Sequence, residues 1–191
     1  MNFEFQKLVY KHYSSVLSEN SEISGEFEKS PEFSVLWSKL YEQDHSKLIK
    51  SLREVKKFLG TSNVKDCDRI SIIDKRCVGL KCLLNRSFSG ANTIDKFLVV
   101  SLSLIAPIFF FEILKINHHE GIFINDPKIM DGDFSEDLLT LSEKLKMLGF
   151  DRLEKDECQK KIEQITFPNI PKGEFTYFNA YFANTLSDLF Y

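Results

Sequence analysis

Residues 97–116 form an apolar run, Phe-Leu-Val-Val-Ser-Leu-Ser-Leu-Ile-Ala-Pro-Ile-Phe-Phe-Phe-Glu-Ile-Leu-Lys-Ile. Its length is near what a membrane-spanning helix needs. Pro107 divides it, however, and Glu112 and Lys115 place charges inside it. Phe, Ile and Val dominate where Leu and Ala would suit a helix. Charge within a span is costly, so the run is expected to form two core strands, 97–106 and 108–116, and no membrane attachment is expected.

The flanking patterns predict helices before and after the sheet in the sequence, with the C-terminal ones covering one of its faces. Over 3–17, Phe3, Phe5, Leu8, Val9, His12, Tyr13, Val16 and Leu17 fall near one helical side. Ser30-Pro31 supplies a cap and a first-turn proline for a helix that keeps its apolar spacing to about residue 59. Asp44 interrupts that stripe and marks a bend or a polar core contact, and Gly60 closes the helix. Arg69–Asp74, Cys77–Asn85 and 121–124 read as further strands, with turn residues over Ser87–Thr93. Asp133 with Glu136 fits a capping box. Leu138, Leu141, Leu145 and Leu148 then share a face that ends at Gly149. Residues 154–165 predict a second short helix, stopped by Pro168 and Pro171; in the aromatic tail the spacing 175, 178, 182, 186, 189 fits a third short helix, while its aromatic density also suits a strand. The expected fold is α+β in a single domain, 1–191. Helices occupy 1–60, an antiparallel sheet of about five strands 61–125, and further helices 126–191.

Composition changes this picture in two ways. Eighteen Phe among 191 residues imply a core or an interaction face built from large rings. The net charge of −3 is unevenly spread: residues 1–46 carry four Lys/Arg and eight Asp/Glu, 47–96 twelve and five, and 97–191 nine and fifteen. The basic middle stretch has no Arg-Gly or aromatic–basic motif, so its charges are read as solvated faces and no direct nucleic-acid contact is expected. Cys67, Cys77, Cys82 and Cys158 form no Cys-x-x-Cys pair, and the first residues lack the apolar core of a secretory signal. Reduced, buried thiols and a cytoplasmic location are expected.

Candidate chemistry is sparse. No Gly-x-Ser-x-Gly, Gly-x-Gly-x-x-Gly or Walker pattern occurs. His118-His119-Glu120, with Asp126, Asp131 and Asp133 beyond, is the nearest approach to a metal cluster. Adjacent histidines on a strand point to opposite faces, so no catalytic residue, metal or cofactor is assigned. Glu120, Asp126, Asp131, Asp133, Glu136 and Asp137, with one intervening lysine, are more useful as a surface that attracts a basic partner. Phe175, Tyr177, Tyr181 and Tyr191 offer an alternative interface of aromatic anchors.

Three segments carry a family resemblance: Val-Ser-Leu-Ser-Leu-Ile-Ala-Pro-Ile-Phe-Phe-Phe-Glu at 100–112, Leu-Lys-Met-Leu-Gly-Phe-Asp-Arg-Leu at 145–153, and the aromatic tail 175–191. In these the chain resembles the immunity proteins that bacteria encode beside polymorphic or contact-dependent growth inhibition toxins. It departs from them after Pro107, where phenylalanines stand in place of tyrosines. The resemblance implies a cytoplasmic, non-catalytic antitoxin that binds one cognate protein toxin. The acidity suits a basic toxin such as a nuclease. Two other classes stay open: a phage- or host-encoded inhibitor or adaptor, and a metal-dependent hydrolase using His118 or His119 with nearby carboxylates.

Overall fold

A computed structural model of the chain describes residues 9–13, 29–42, 44–59, 64–67, 76–119, 122–123, 128–129, 136–163, 165, 167, 170–171, 173–186 and 188. The apolar run folds as expected into two antiparallel strands, longer than the apolar letters alone indicate. They are β3 (Asn92–Ser103) and β4 (Ile108–His119), registered from Leu102↔Phe109 to Asn92↔His119. β2 (Cys77–Ser89) pairs with β3, and β1 (Val64–Cys67) pairs with β2, both antiparallel. No described helix is long and apolar enough to cross a membrane.

The fold is α+β, but the expectation of about five antiparallel strands needs correction. Four strands, β1 to β4, make the body of the sheet. Among the described residues the outer edge of β4 is met only by two-residue pieces: β5 (Ile122–Phe123), β6 (Lys128–Ile129) and β7 (Asp151–Arg152). β7 runs parallel to β4, so the sheet is mixed. An exposed edge invites pairing with other chains, and these short pieces pair with half of its residues. Between them, the Arg152 guanidinium donates to the Phe111 carbonyl at 3.1 Å.

Both faces of the sheet are buried, which explains why 97–111 reads as a continuous apolar run instead of an alternating one. Val99, Ile108, Phe110 and Leu114 face one core. Residues Val9, Tyr13, Leu36 and Leu40 close that core from the N-terminal side, and residues from Leu153 to Ala183 from the C-terminal side. Leu98, Val100, Leu102, Phe109 and Phe111 face a second core closed by two helices. The expectation that C-terminal helices cover one face is therefore half of the arrangement.

Those two helices are α2 (Ser46–Leu59) and α3 (Glu136–Met147). Ahead of α2, the helix predicted to run unbroken to residue 59 is divided. α1 (Pro31–Trp37), capped by the Ser30 hydroxyl, passes into a π-helical turn at Ser38–Glu42. Exposed Asp44 then accepts from the Ser46 amide at 2.9 Å and its hydroxyl at 2.8 Å, which starts α2. Of the Asp44 alternatives, the bend is the one observed. α3 ends as its glycine predicts. Gly149 adopts φ +88°, its amide donates to Lys146, and the Phe150 amide donates to Leu145, the pattern of a Schellman close.

Other boundaries move. The predicted turn over Ser87–Thr93 shrinks to Gly90-Ala91, with Gly90 at φ +60° as a tight hairpin requires. The helix expected over 154–165 is only α4 (Lys155–Cys158). The tail does form a helix, α5 (Tyr177–Tyr181), started by a reciprocal Thr176–Asn179 capping box. The predicted strand Arg69–Asp74, the Asp133 cap, Gly60 and most of the helix 3–17 lie outside the described residues.

Candidate binding interface

The residues proposed from sequence fall into three environments. Of the acidic group, Glu120, Asp126, Asp131 and Asp133 lie outside the described residues, while Glu136 and Asp137 open α3.

The two adjacent histidines diverge, as their place on a strand dictates. His118 Nε2 lies 3.2 Å from a carboxylate oxygen of Asp95, which is buried and also receives Arg86 through two bonds of 2.6 and 2.8 Å. His119 Nδ1 pairs with Asn92 Oδ1 at 2.8 Å on the other side of the sheet. Among the described residues no three His, Cys, Asp or Glu side chains converge as a metal site. Cys158 is a poor nucleophile, since burial and the carboxylates of Glu112, Glu157 and Glu154 push its thiol far up.

The aromatic tail from Phe175 to Phe182 lies inside the protein instead of on its surface. Phe175, Tyr177 and Tyr181 are buried, and Tyr191 lies outside the described residues. Phe178 and Phe182 meet Phe110 of the sheet at 5.3 and 5.7 Å between ring centres. The Tyr13 hydroxyl donates to the Ala180 carbonyl at 2.6 Å, and its pKa is pushed up to about 12 by burial. Arg76, wholly buried, ties the same segment down. Its guanidinium donates to the Asn179 carbonyl at 2.8 Å and to Asn184 Oδ1 at 3.0 Å, and lies 4.4 Å from the centre of the Phe167 ring. Side chains so enclosed cannot anchor a partner, so the tail's density of rings serves the core.

An exposed aromatic row lies on α1 and the π-helical turn that follows it. Leu36 and Leu40 point into the core, and the next residue of each, Trp37 and Tyr41, points outward, 42% exposed in both cases. The two rings stack at 4.4 Å with 24° between their planes, and Phe33 continues the row at 5.7 Å from Trp37. Spacing of four residues on a helix places each ring over the next. Apolar spacing alone does not separate this row from the buried stripe, because Trp37 adjoins Leu36 and falls between it and Leu40. The available signal was two parallel rows, aliphatic at 36 and 40 and aromatic at 33, 37 and 41. Exposed Trp and Tyr are the residue types most concentrated at binding hot spots. No family model matches the chain, and no curated protein or solved structure matches it.

Proposed function

We propose that the chain is a non-catalytic binding protein that neutralises a cognate bacterial toxin by forming a tight protein–protein complex in the cytoplasm. The observation that carries this is the stacked, outward-facing pair Trp37 and Tyr41. Two large rings are held rigid by each other and by the helix, so little conformational freedom is lost when a partner covers them. The carboxylates Glu120, Asp126, Asp131, Asp133, Glu136 and Asp137 give the complex its attraction to a basic toxin, such as a nuclease, and speed its formation. The hydrolase alternative has less support: His118 is engaged with Asp95, and His119 with Asn92, on opposite faces of the strand.

The test is protection. Proteins encoded beside this chain are expressed with and without it, and growth is followed. Protection from one of them is expected, and it is expected to be lost in the Trp37→Ser, Tyr41→Ser double variant at unchanged protein level and circular dichroism. Reversing Asp131, Asp133 and Asp137 to Lys is expected to slow association and flatten its salt dependence. Absence of any toxic neighbour, or full protection by the double variant, would remove the proposal.

A further inference from the structure

α2 carries a second surface of opposite sign. Its fourteen residues include Lys47, Lys50, Arg53, Lys56 and Lys57 against one acid, Glu54. All but the half-buried Lys56 are exposed. Among the described residues none of these five cations has an ion pair, although carboxylates outnumber basic side chains over the whole chain. Lys47, Lys50, Glu54 and Lys57 recur at spacings of three and four, so they form one row along the helix.

Beside that row lies an apolar groove. Val55 and Phe58 of α2, with Glu54 at their edge, form one wall, and Leu141, Leu145, Met147 and Leu148 form the other, around a space of about 320 Å³. Met147 is 86% exposed at its rim. One further cation, Lys144, sits 3.8 Å from the centre of the Phe58 ring. Unpaired cations flank a cleft large enough for one or two bulky apolar side chains.

We propose that α2 and the groove it shares with α3 dock an acidic protein segment bearing large apolar side chains, in the manner of an amphipathic helix laid into a groove. The occupant must satisfy both halves of the site. A nucleic acid would answer the cations but has no aliphatic side chain for the groove. An anionic membrane would need the apolar side of α2, and that side, through Leu52 and Val55, is already buried against the sheet. An acidic amphipathic segment supplies carboxylates and apolar anchors together. The surface stands apart from the toxin-binding proposal, which rests on α1 and on carboxylates, so either can fail without the other.

The test uses the whole chain and a labelled synthetic peptide with Leu along one helical face and Glu along the other, followed by fluorescence anisotropy. Binding is expected and should weaken with salt. The Lys50→Glu, Lys57→Glu double variant and the single Met147→Asp variant, both altering exposed side chains, should each weaken it by about tenfold or more with unchanged circular dichroism. A peptide with Lys in place of Glu should not bind the unaltered chain. Failure of the acidic peptide to bind, or indifference to Met147→Asp, would overturn the proposal. So would tighter binding of a labelled oligonucleotide or of phosphatidylserine vesicles than of the acidic peptide.

Discussion

Two ends of the same three strands are held by different physics. At the centre, Leu98 to Ser103 and Ile108 to Glu112 are buried, on both faces of the sheet. At the far end, residues 85–92 are exposed, with Phe88 at 74%, and polar pairs join the strands. There Arg86 lies opposite Asp95 and Asn92 opposite His119, each pair bonded, and His118 closes on Asp95. The centre contributes stability, since each buried large side chain is worth roughly 1.5–3 kcal/mol. It is a weak guide to alignment: with apolar residues on both faces, a slip by one residue still buries apolar side chains. The far end adds little burial, but its charged and amide pairs match only in the observed register. Stability and register are thus supplied by separate parts of the same strands.

The largest break is expected at the centre. Phe110 is wholly buried between Phe178 and Phe182, and Phe110→Asp would place an unpaired charge there. That costs several kcal/mol against a total stability of roughly 5–15 kcal/mol. Loss of the folded circular dichroism signal is expected. A soluble variant with native signal would show that the centre does not carry the fold.

How legible these two ends were in the sequence follows from the same division. The centre announced itself through Phe, Ile, Val and Leu, and the strands on either side of Pro107 were readable from residues alone. Their polar ends were not. Ser87 to Thr93 reads as a turn because its residues are polar; their strand character rests on pairing, of Ser87 to Ser89 across the hairpin with Asn92 to Ile94, and of Asn92 and Thr93 with distant His119 and His118. The tail shows the converse error. Its helix was readable, but its rings suggested an interface, and nothing in the sequence indicated that Arg76, Tyr13 and Phe110 would enclose them. The split at Ser38–Glu42 was hidden for another reason, since apolar spacing continues across the π-helical turn. The aromatic row at 33, 37 and 41 was in plain view, and separating it from the aliphatic row would have found it.

A second break compares two arginine–carboxylate pairs, one in each region. At the centre, Glu112 is buried and bonded to Arg152 at 2.9 Å. Burial raises the Glu112 pKa above its ordinary value and Arg152 opposes that rise. Removing the arginine leaves a buried carboxylate uncompensated, so Arg152→Ala is expected to cost about 3–5 kcal/mol at neutral pH. A carboxyl whose folded pKa is raised takes up its proton more readily in the folded state. Its favourable contribution is complete below the ordinary carboxyl range and is lost as pH rises through the folded value. The deficit of the variant should therefore shrink as pH falls toward about 4.5. Urea unfolding at a series of pH values measures this, and a pH-independent deficit would assign the loss to packing alone.

At the far end the corresponding change is Arg86→Ala. Half of the Arg86 side chain is exposed to water, and Asp95 keeps His118 beside it. A smaller loss of stability than in Arg152→Ala is expected. Hydrogen exchange should locate it: amides of residues 84–95 should exchange faster, while those of 98–102 and 109–111 keep their protection. Equal acceleration in both sets would mean that the two ends do not divide their roles.

The smallest effect is expected at the hairpin tip. A Cβ at Gly90 would meet nothing within 4 Å, so Gly90→Ala tests only the backbone, held there at φ +60°. Placing alanine in that conformation is expected to cost about 1 kcal/mol, and asparagine, which tolerates it better, less. Gly79 supplies the matching control in the centre, because its φ is ordinary but a Cβ would come within 2.9 Å of the Val100 carbonyl oxygen and of Ser101 Oγ. Backbone cannot withdraw as a flexible side chain does, so Gly79→Ala should cost more than Gly90→Ala despite its easier dihedral angles. Urea midpoints of the two variants measure the difference. If Gly90→Ala proved the more damaging, the tip would be supporting the whole sheet instead of only aligning it.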